Sequence, residues 1–227
     1  MTARSRRSRV LAVCCACAWP WLSGALLLSG APARELEAGE VLARLQAWLD
    51  GTRDLEGRFE QKLVSGALGA GLEERGRLYL ARPGKMRWDY LDPERKIAII
   101  EGRRTRLYIE EERELWEGTL DDDALLATLL AGSEPIAAGF EAGLLTTPRH
   151  GGRGAYRLQL VPHGPVEALQ EIVLTLREPG FAIAEAEVTD GAGNRMLYRF
   201  IDLRRNRGLA DSTFEFEAPP GTEIGRH

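Results

Sequence analysis

Between Glu35 and Asp50, apolar residues recur at spacings of three and four: Leu36, Val41, Leu42, Leu45, Trp48 and Leu49. That period predicts one amphipathic helix, ended near Gly51. From Leu55 the period falls to two. Leu55, Gly57, Phe59, Gln61 and Leu63 alternate with Glu56, Arg58, Glu60 and Lys62, the pattern of an antiparallel strand with one buried and one wet face. A Gly-rich loop over 66–71 leads to a second strand at Gly76–Ala81. After the turn Arg82-Pro83-Gly84, a third strand places Met86, Trp88 and Tyr90 on one face and Lys85, Arg87 and Asp89 on the other. Short runs at Lys96–Ile100, Thr105–Ile109 and Arg113–Gly118 continue the series as a β-meander, punctuated by Glu101-Gly102 and Glu110-Glu111-Glu112.

The meander is interrupted once. Asp121, Asp122 and Asp123 precede an apolar run from Ala124 to Ala131 that stops at Gly132. Acids at the start suit the helix dipole and glycine suits its end, so this run predicts a second helix. Ile136–Leu145 is apolar but contains Gly139 and Gly143, which reads as a weak helix or an irregular loop. Strands resume at Tyr156–Val161, Glu171–Arg177, Phe181–Thr189 and Arg195–Arg204, and a last one, Ser212–Glu217, is stopped by Pro219-Pro220-Gly221. The whole reads as mainly β, an α+β chain of ten or eleven strands and two or three helices. No internal repeat and no linker divides it, so one continuous curved antiparallel sheet is expected. A sheet of that size curls or closes. The helix at Ala124–Ala131 carries Leu125, Leu126, Leu129 and Leu130 over most of its circumference and must be buried. Two homes are open to it: the concave side of the sheet, as a plug or lid, or the cap of an ordinary packed core. Periodicity alone favours the cap.

The N-terminus has a different composition. Arg4, Arg6, Arg7 and Arg9 stand with no acid before Glu35, Val10–Leu28 is apolar, and Ala31-Pro32-Ala33 offers small residues at a cleavage site. This is the three-part anatomy of a secretory signal peptide over residues 1–33, leaving one domain over 34–227. A retained membrane helix competes, because the apolar stretch approaches the roughly 20 residues that span a bilayer; Pro20 and the cleavage site weigh against it. A lipid-modified cysteine is disfavoured, since cutting before Cys14, Cys15 or Cys17 would strand an apolar segment on the mature end. Removing these 33 residues takes away four of the 30 basic side chains and all three cysteines, so the 34 acids face 26 bases and the net charge moves from −4 to −8. No disulfide framework, thiolate metal site or cysteine nucleophile is then expected. An acidic balance also argues against nucleic acid, which demands basic surfaces to neutralise phosphates.

Catalytic chemistry is hard to find. His150 lies in a Gly/Arg loop, His163 in Pro162-His163-Gly164-Pro165, and His227 ends the sequence; none has a second ligand at metal-site spacing. Ser65-Gly66 and Gly132-Ser133-Glu134 form no nucleophile elbow, and there is no phosphate-binding Gly-Lys-Ser/Thr or Gly-x-Gly-x-x-Gly. The carboxylates of Asp121–Asp123 and Glu110–Glu112 read as solvated turns. A binding protein with no cofactor and no metal is expected rather than an enzyme.

One ordered set of fragments is more specific. Phe59-Glu60-Gln61-Lys62, then Gly76-Arg77-Leu78-Tyr79-Leu80-Ala81-Arg82-Pro83 running into Met86-Arg87-Trp88-Asp89-Tyr90, then Pro93 and Glu101-Gly102, and finally Phe214-Glu215-Phe216-Glu217-Ala218-Pro219-Pro220-Gly221-Thr222-Glu223-Ile224, resemble the periplasmic carriers of outer-membrane lipoproteins, the LolA family. The resemblance runs from Leu36 to Ile224. It implies an incomplete antiparallel barrel whose hydrophobic concavity is covered by helices, which would place the leucine helix as a lid. It implies a periplasmic chaperone of a Gram-negative bacterium, acting as a monomer. Such a chaperone takes triacylated lipoproteins from an inner-membrane ATP-driven (ABC) release complex and passes them to an outer-membrane receptor or to the membrane itself. The family's lid-retaining arginine falls on Arg82. Met86 stands where the family has a cavity aromatic, and Trp88 is kept; Phe59, Leu78, Leu80, Met86, Trp88 and Tyr90 are expected to line one cavity with the lid residues Leu125, Leu126, Leu129 and Leu130, the alternative being an ordinary filled core. Two other functions compete: a regulatory lipoprotein or lipid sensor of the same fold, which usually has an added C-terminal domain, and an exported hydrolase, which would want a convergent His/Ser/Asp or metal cluster.

Overall fold

The computed structural model describes residues 36–65, 69–119, 125–132, 134–145, 154–164 and 169–226. The proposed signal segment with its cysteines, Asp121–Asp123, His150 and His227 lie outside the described residues, as does the side chain of Leu125. The first helix, α1 (Ala38–Asp50), buries Val41, Leu45, Trp48 and Leu49 at the expected three- and four-residue spacing. Its entrance is fixed by the Glu37 backbone N–H donating to the Glu40 carboxylate at 3.0 Å. Among the described residues twelve strands follow: β1 (Asp54–Ser65), β2 (Gly69–Ala81), β3 (Lys85–Asp92), β4 (Lys96–Glu101), β5 (Arg104–Ile109), β6 (Glu114–Thr119), β7 (Phe140–Leu145), β8 (Ala155–Pro162), β9 (Glu171–Arg177), β10 (Ala182–Thr189), β11 (Arg195–Arg205) and β12 (Glu223–Arg226). Helices α2 (Leu125–Ala131) and α3 (Ile136–Gly139) lie between β6 and β7.

All twelve strands join one sheet in the order β12-β6-β5-β4-β3-β2-β1-β11-β10-β9-β8-β7. Every pairing is antiparallel except β12 on β6, which is parallel. The two ends of that order, β12 and β7, are not paired with each other, so the sheet is an incomplete barrel. Irregular register at Glu56/Arg58, Lys62/Val64, Arg75/Gly76 and Ile183/Glu185 interrupts its long central strands; such bulges bend a strand and increase its twist. Gly76 shows how tightly the curve is drawn. It pairs with Phe59, and a Cβ there would stand 2.7 Å from the Phe59 ring and 2.1 Å from the Asp89 carbonyl oxygen, so no side chain fits.

One hydrophobic core lies on the face carrying Phe59, Leu78, Leu80, Met86, Trp88, Leu158, Ile172 and Leu174, and both α1 and α2 pack into it. A corner ties α1 to the sheet. The Arg205 guanidinium lies 4.9 Å over the Trp48 ring and donates to the Trp48 carbonyl, while the buried Asp54 carboxylate accepts from the backbone N–H groups of Arg207 and Gly208.

Two expectations are corrected. Ile136–Leu145 is neither a helix nor an irregular loop throughout: after the single turn of α3 it becomes edge strand β7, paired with β8 on one side only. The closing strand at Ser212–Glu217 is also absent. Asp211–Phe214 is a 3₁₀ turn, and the ladder forms after the prolines, at β12. The alternating Phe214 and Phe216 were a true signal of a two-sided segment: Phe214 is buried and Phe216 packs 5.0 Å from Tyr108. The segment crosses the outer face, where its carbonyls are satisfied by side chains, Arg87 donating to Thr213 and Glu215 and Arg106 to Phe216.

Candidate functional site

The turn between β2 and β3 holds the first candidate. Gly84 has φ +76°, a left-handed conformation that favours glycine, and its N–H donates to the Ala131 carbonyl at the end of α2 (2.9 Å). Arg82, two residues earlier, donates from Nη2 to the Gly132 carbonyl just beyond that helix. The turn therefore grips the C-terminal end of α2 at two carbonyls that the helix leaves unpaired. Burial holds the Arg82 pKa below its usual value, opposed by the charge of Asp50. Its Nη1 is buried without a hydrogen-bond partner. A third tie fixes the next segment, where the Ile136 N–H donates to Gln46 of α1 (2.9 Å).

The residues expected to line a cavity come together. Phe59, Leu78, Leu80, Met86 and Trp88 are buried on adjacent strands, and the Phe59 ring meets Trp88 and Tyr90 edge-on at 4.6 and 5.0 Å. They form one cluster with Leu126, Leu129 and Leu130 of α2 and with the buried face of α1, so in this structure they are packed beneath the helices. Open space on the same face lies one step further across the sheet. Cross-strand register runs from Trp88 to Ala98, Leu107 and Trp116, and from Met86 to Ile100. Ala98, Ile100, Leu107 and Trp116 border a hollow of about 610 Å³ that is open on one side. Sequence reasoning missed these four, although the signal was present: strict alternation puts each of them on the Met86/Trp88 face.

At one end this hollow meets polar groups. Gln61 Nε2 donates to Glu74 (3.1 Å), Tyr90 Oη donates to Gln61 (3.0 Å), and Lys96 Nζ stands 2.5 Å from Glu74. Burial, then the neighbouring Glu74 charge, pushes the Tyr198 hydroxyl up to about 12. Tyr90 is raised as well, first by burial. A second hollow, about 770 Å³, has mostly the opposite strand face as its wall, with Glu60, Lys62, Arg157, Glu185, Glu187 and Arg199. Its ion pairs, Arg199–Glu60 at 3.4 Å and Arg157–Glu187 at 3.6 Å, make it unsuited to hydrocarbon despite its size.

His163 lies on an exposed turn after β8. Among the described residues, no group of three His, Cys, Asp or Glu could hold a metal ion, and no helix is long and apolar enough to cross a membrane.

A family model described as outer membrane lipoprotein carrier protein LolA matches residues 50–217. The chain is 27% identical over 184 residues to the outer-membrane lipoprotein carrier protein of Methylococcus capsulatus, covering 80% of this chain and 86% of that one. It is also 27% identical over 215 residues to the protein of the same name from Chromobacterium violaceum, covering 91% and 96%. Among solved structures, an uncharacterized conserved protein from Thermus thermophilus matches with a TM-score of 0.51 at 14% identity, covering 84% of this chain and 99% of that one, a likeness of fold alone.

Proposed function

We propose, for a chain that belongs to the LolA family of outer membrane lipoprotein carrier proteins, that it is a periplasmic chaperone holding the acyl chains of lipoproteins on the inner face of its open sheet. The observation that carries this reading is that face itself, apolar from Trp88 through Ala98 and Leu107 to Trp116, covered by α2 at one end and open at the other. In this reading residues 1–33 are the export signal, removed before the protein works. The donor is an inner-membrane ATP-driven release complex, and the acceptor is an outer-membrane receptor or the membrane. The monomer breaks no bond and needs no cofactor.

Magnitudes decide whether such a site could take up and release its cargo. An acyl chain of about 15 methylene groups exposes roughly 12 kcal/mol of unfavourable surface to water, at about 0.8 kcal/mol each, so it needs a dry wall to cross an aqueous space. Opposing its insertion is the closed lid. Leu126, Leu129 and Leu130 contribute about 1.5–3 kcal/mol each, and the charge-assisted bond of Arg82 about 1.5–3 kcal/mol more. One chain is thus comparable with lid closure and two or three exceed it. Cargo displaces α2, and reclosure of α2 offsets part of the cost of release, which keeps affinity moderate enough for handover.

Mass spectrometry of what co-purifies with the protein from periplasm tests this directly. Acylated lipoproteins or their N-terminal peptides should be recovered; a preparation carrying only small polar metabolites would overturn the proposal.

A further inference from the structure

The inner face is not apolar throughout. Cross-strand register sets Tyr198, Gln61 and Glu74 side by side on β11, β1 and β2, and pairs Tyr90 with Lys96 on β3 and β4. Glu74 is 7% and Gln61 8% exposed. Lys96 Nζ lies against the Glu74 carboxylate, 4.9 Å over the Tyr90 ring and 3.8 Å from Glu94. A buried ion pair is a weak source of stability, since apolar residues of similar volume often serve as well. What distinguishes this one is its place. Glu74, Tyr90 and Lys96 border the apolar hollow of β4–β6, Tyr198 borders the charged one, and Gln61 borders both.

We propose that this polar row anchors the uncharged linkage of an acylated N-terminus, the ester and amide groups that join fatty chains to the first residue of a lipoprotein, while the chains lie along Ala98, Ile100, Leu107 and Trp116. The inference rests on the carrier function proposed above and adds to it a register for the cargo and a ligand preference. Ester and amide carbonyls are acceptors, which suit the ammonium of Lys96 and the hydroxyl of Tyr198; an amide N–H is a donor, which suits Glu74. Because the row holds one buried carboxylate beside one ammonium, it favours a ligand that is neutral overall but rich in hydrogen-bonding groups. A free fatty acid would bring a second carboxylate against Glu74, a like charge in a water-poor site. The row therefore selects esterified and amide-linked chains over free fatty acids.

Four probes separate these terms on the purified protein: a synthetic triacylated cysteinyl peptide, palmitate, its methyl ester, and the hydrocarbon dye diphenylhexatriene. Wild type should bind methyl palmitate at least about tenfold more tightly than palmitate, the two having the same chain. In the double variant Glu74→Gln with Lys96→Met, which removes both charges together, affinity for the peptide should fall by about tenfold while that for the dye does not fall. Tyr198→Phe, which deletes a single hydroxyl, should weaken peptide binding severalfold and serves should the double variant not fold. Unchanged peptide affinity in either folded variant, or palmitate bound as tightly as its methyl ester by wild type, overturns the inference and leaves the carrier reading standing. Failure of wild type to bind both the peptide and the dye overturns the carrier reading itself, and this inference with it.

Discussion

Arg82 links the turn at β2–β3 to the end of α2 through the Gly132 carbonyl, and its substitution should separate folding from transfer. Arg82→Leu removes a bond of about 1.5–3 kcal/mol that holds only the lid, so far-ultraviolet circular dichroism should be unchanged while handover of a labelled lipoprotein slows; a wild-type rate would refute the role. Gly76 makes the opposite kind of prediction. Because a Cβ would collide with the Asp89 carbonyl and the Phe59 ring, Gly76→Ala should cost about 1–3 kcal/mol and lower the melting temperature by roughly 2–12 °C, read by calorimetry. Tyr198 gives a pH dependence. Its proton is held to about 12 in the folded state, against about 10 in the unfolded chain. Between those values the folded state binds more protons, so the stability present below pH 10 declines as pH rises toward 12. An alkaline titration followed by phenolate absorbance should show a late phase that shrinks in Tyr198→Phe. Of these residues, Arg82 was legible in the sequence through its motif. Glu74 was not, because the expected second strand began at Gly76 and left it in the preceding segment; in β2 it shares the inner face with Gly76, Leu78 and Leu80 by plain alternation.

Elements with two well-matched partners were the most readable. β3, β4, β5 and β9 follow the expected bounds almost to the residue, since each bonds a neighbour on both sides. β7 and β12 were missed for a common physical reason. Each is a short edge strand with one partner, and glycine interrupts its pattern: Gly143 in β7, and Gly225 in β12, where the Trp116 ring leaves no room for a Cβ. The Phe214/Phe216 alternation misled because side-chain partition does not require a strand ladder when arginines satisfy the carbonyls. For α2, the leucine pattern indicated burial but not which surface receives it. In the structure it shares one cluster with Trp88 and Met86. Leu129→Gln should therefore loosen the lid alone. Hydrogen exchange in 126–132 should accelerate by one to two orders of magnitude, corresponding to about 2 kcal/mol lost, with amides of β1–β3 still protected. Equal acceleration in both regions would mean that α2 is an integral part of the core and not a separable cover.

At the scale of the whole molecule, the decisive feature is a sheet that curls without closing. Its edges β7 and β12 remain apart in the pairing order, and its inner face is divided into a packed part under α1 and α2 and an open part over β4–β6. Composition could not distinguish a filled core from a lined cavity, because both consist of the same buried apolar residues. The fold supplies both, joined by continuous cross-strand rows; in the proposed function, moving one short helix turns core into binding wall. Transfer between membranes puts that relation to the test. Inner-membrane vesicles containing a labelled triacylated lipoprotein and the ATP-driven release complex are incubated with the purified protein, ATP and outer-membrane vesicles. A soluble one-to-one complex of protein and lipoprotein should form, followed by appearance of the label in the outer-membrane fraction. Label that stays in the inner-membrane vesicles at the level seen without the protein would contradict it.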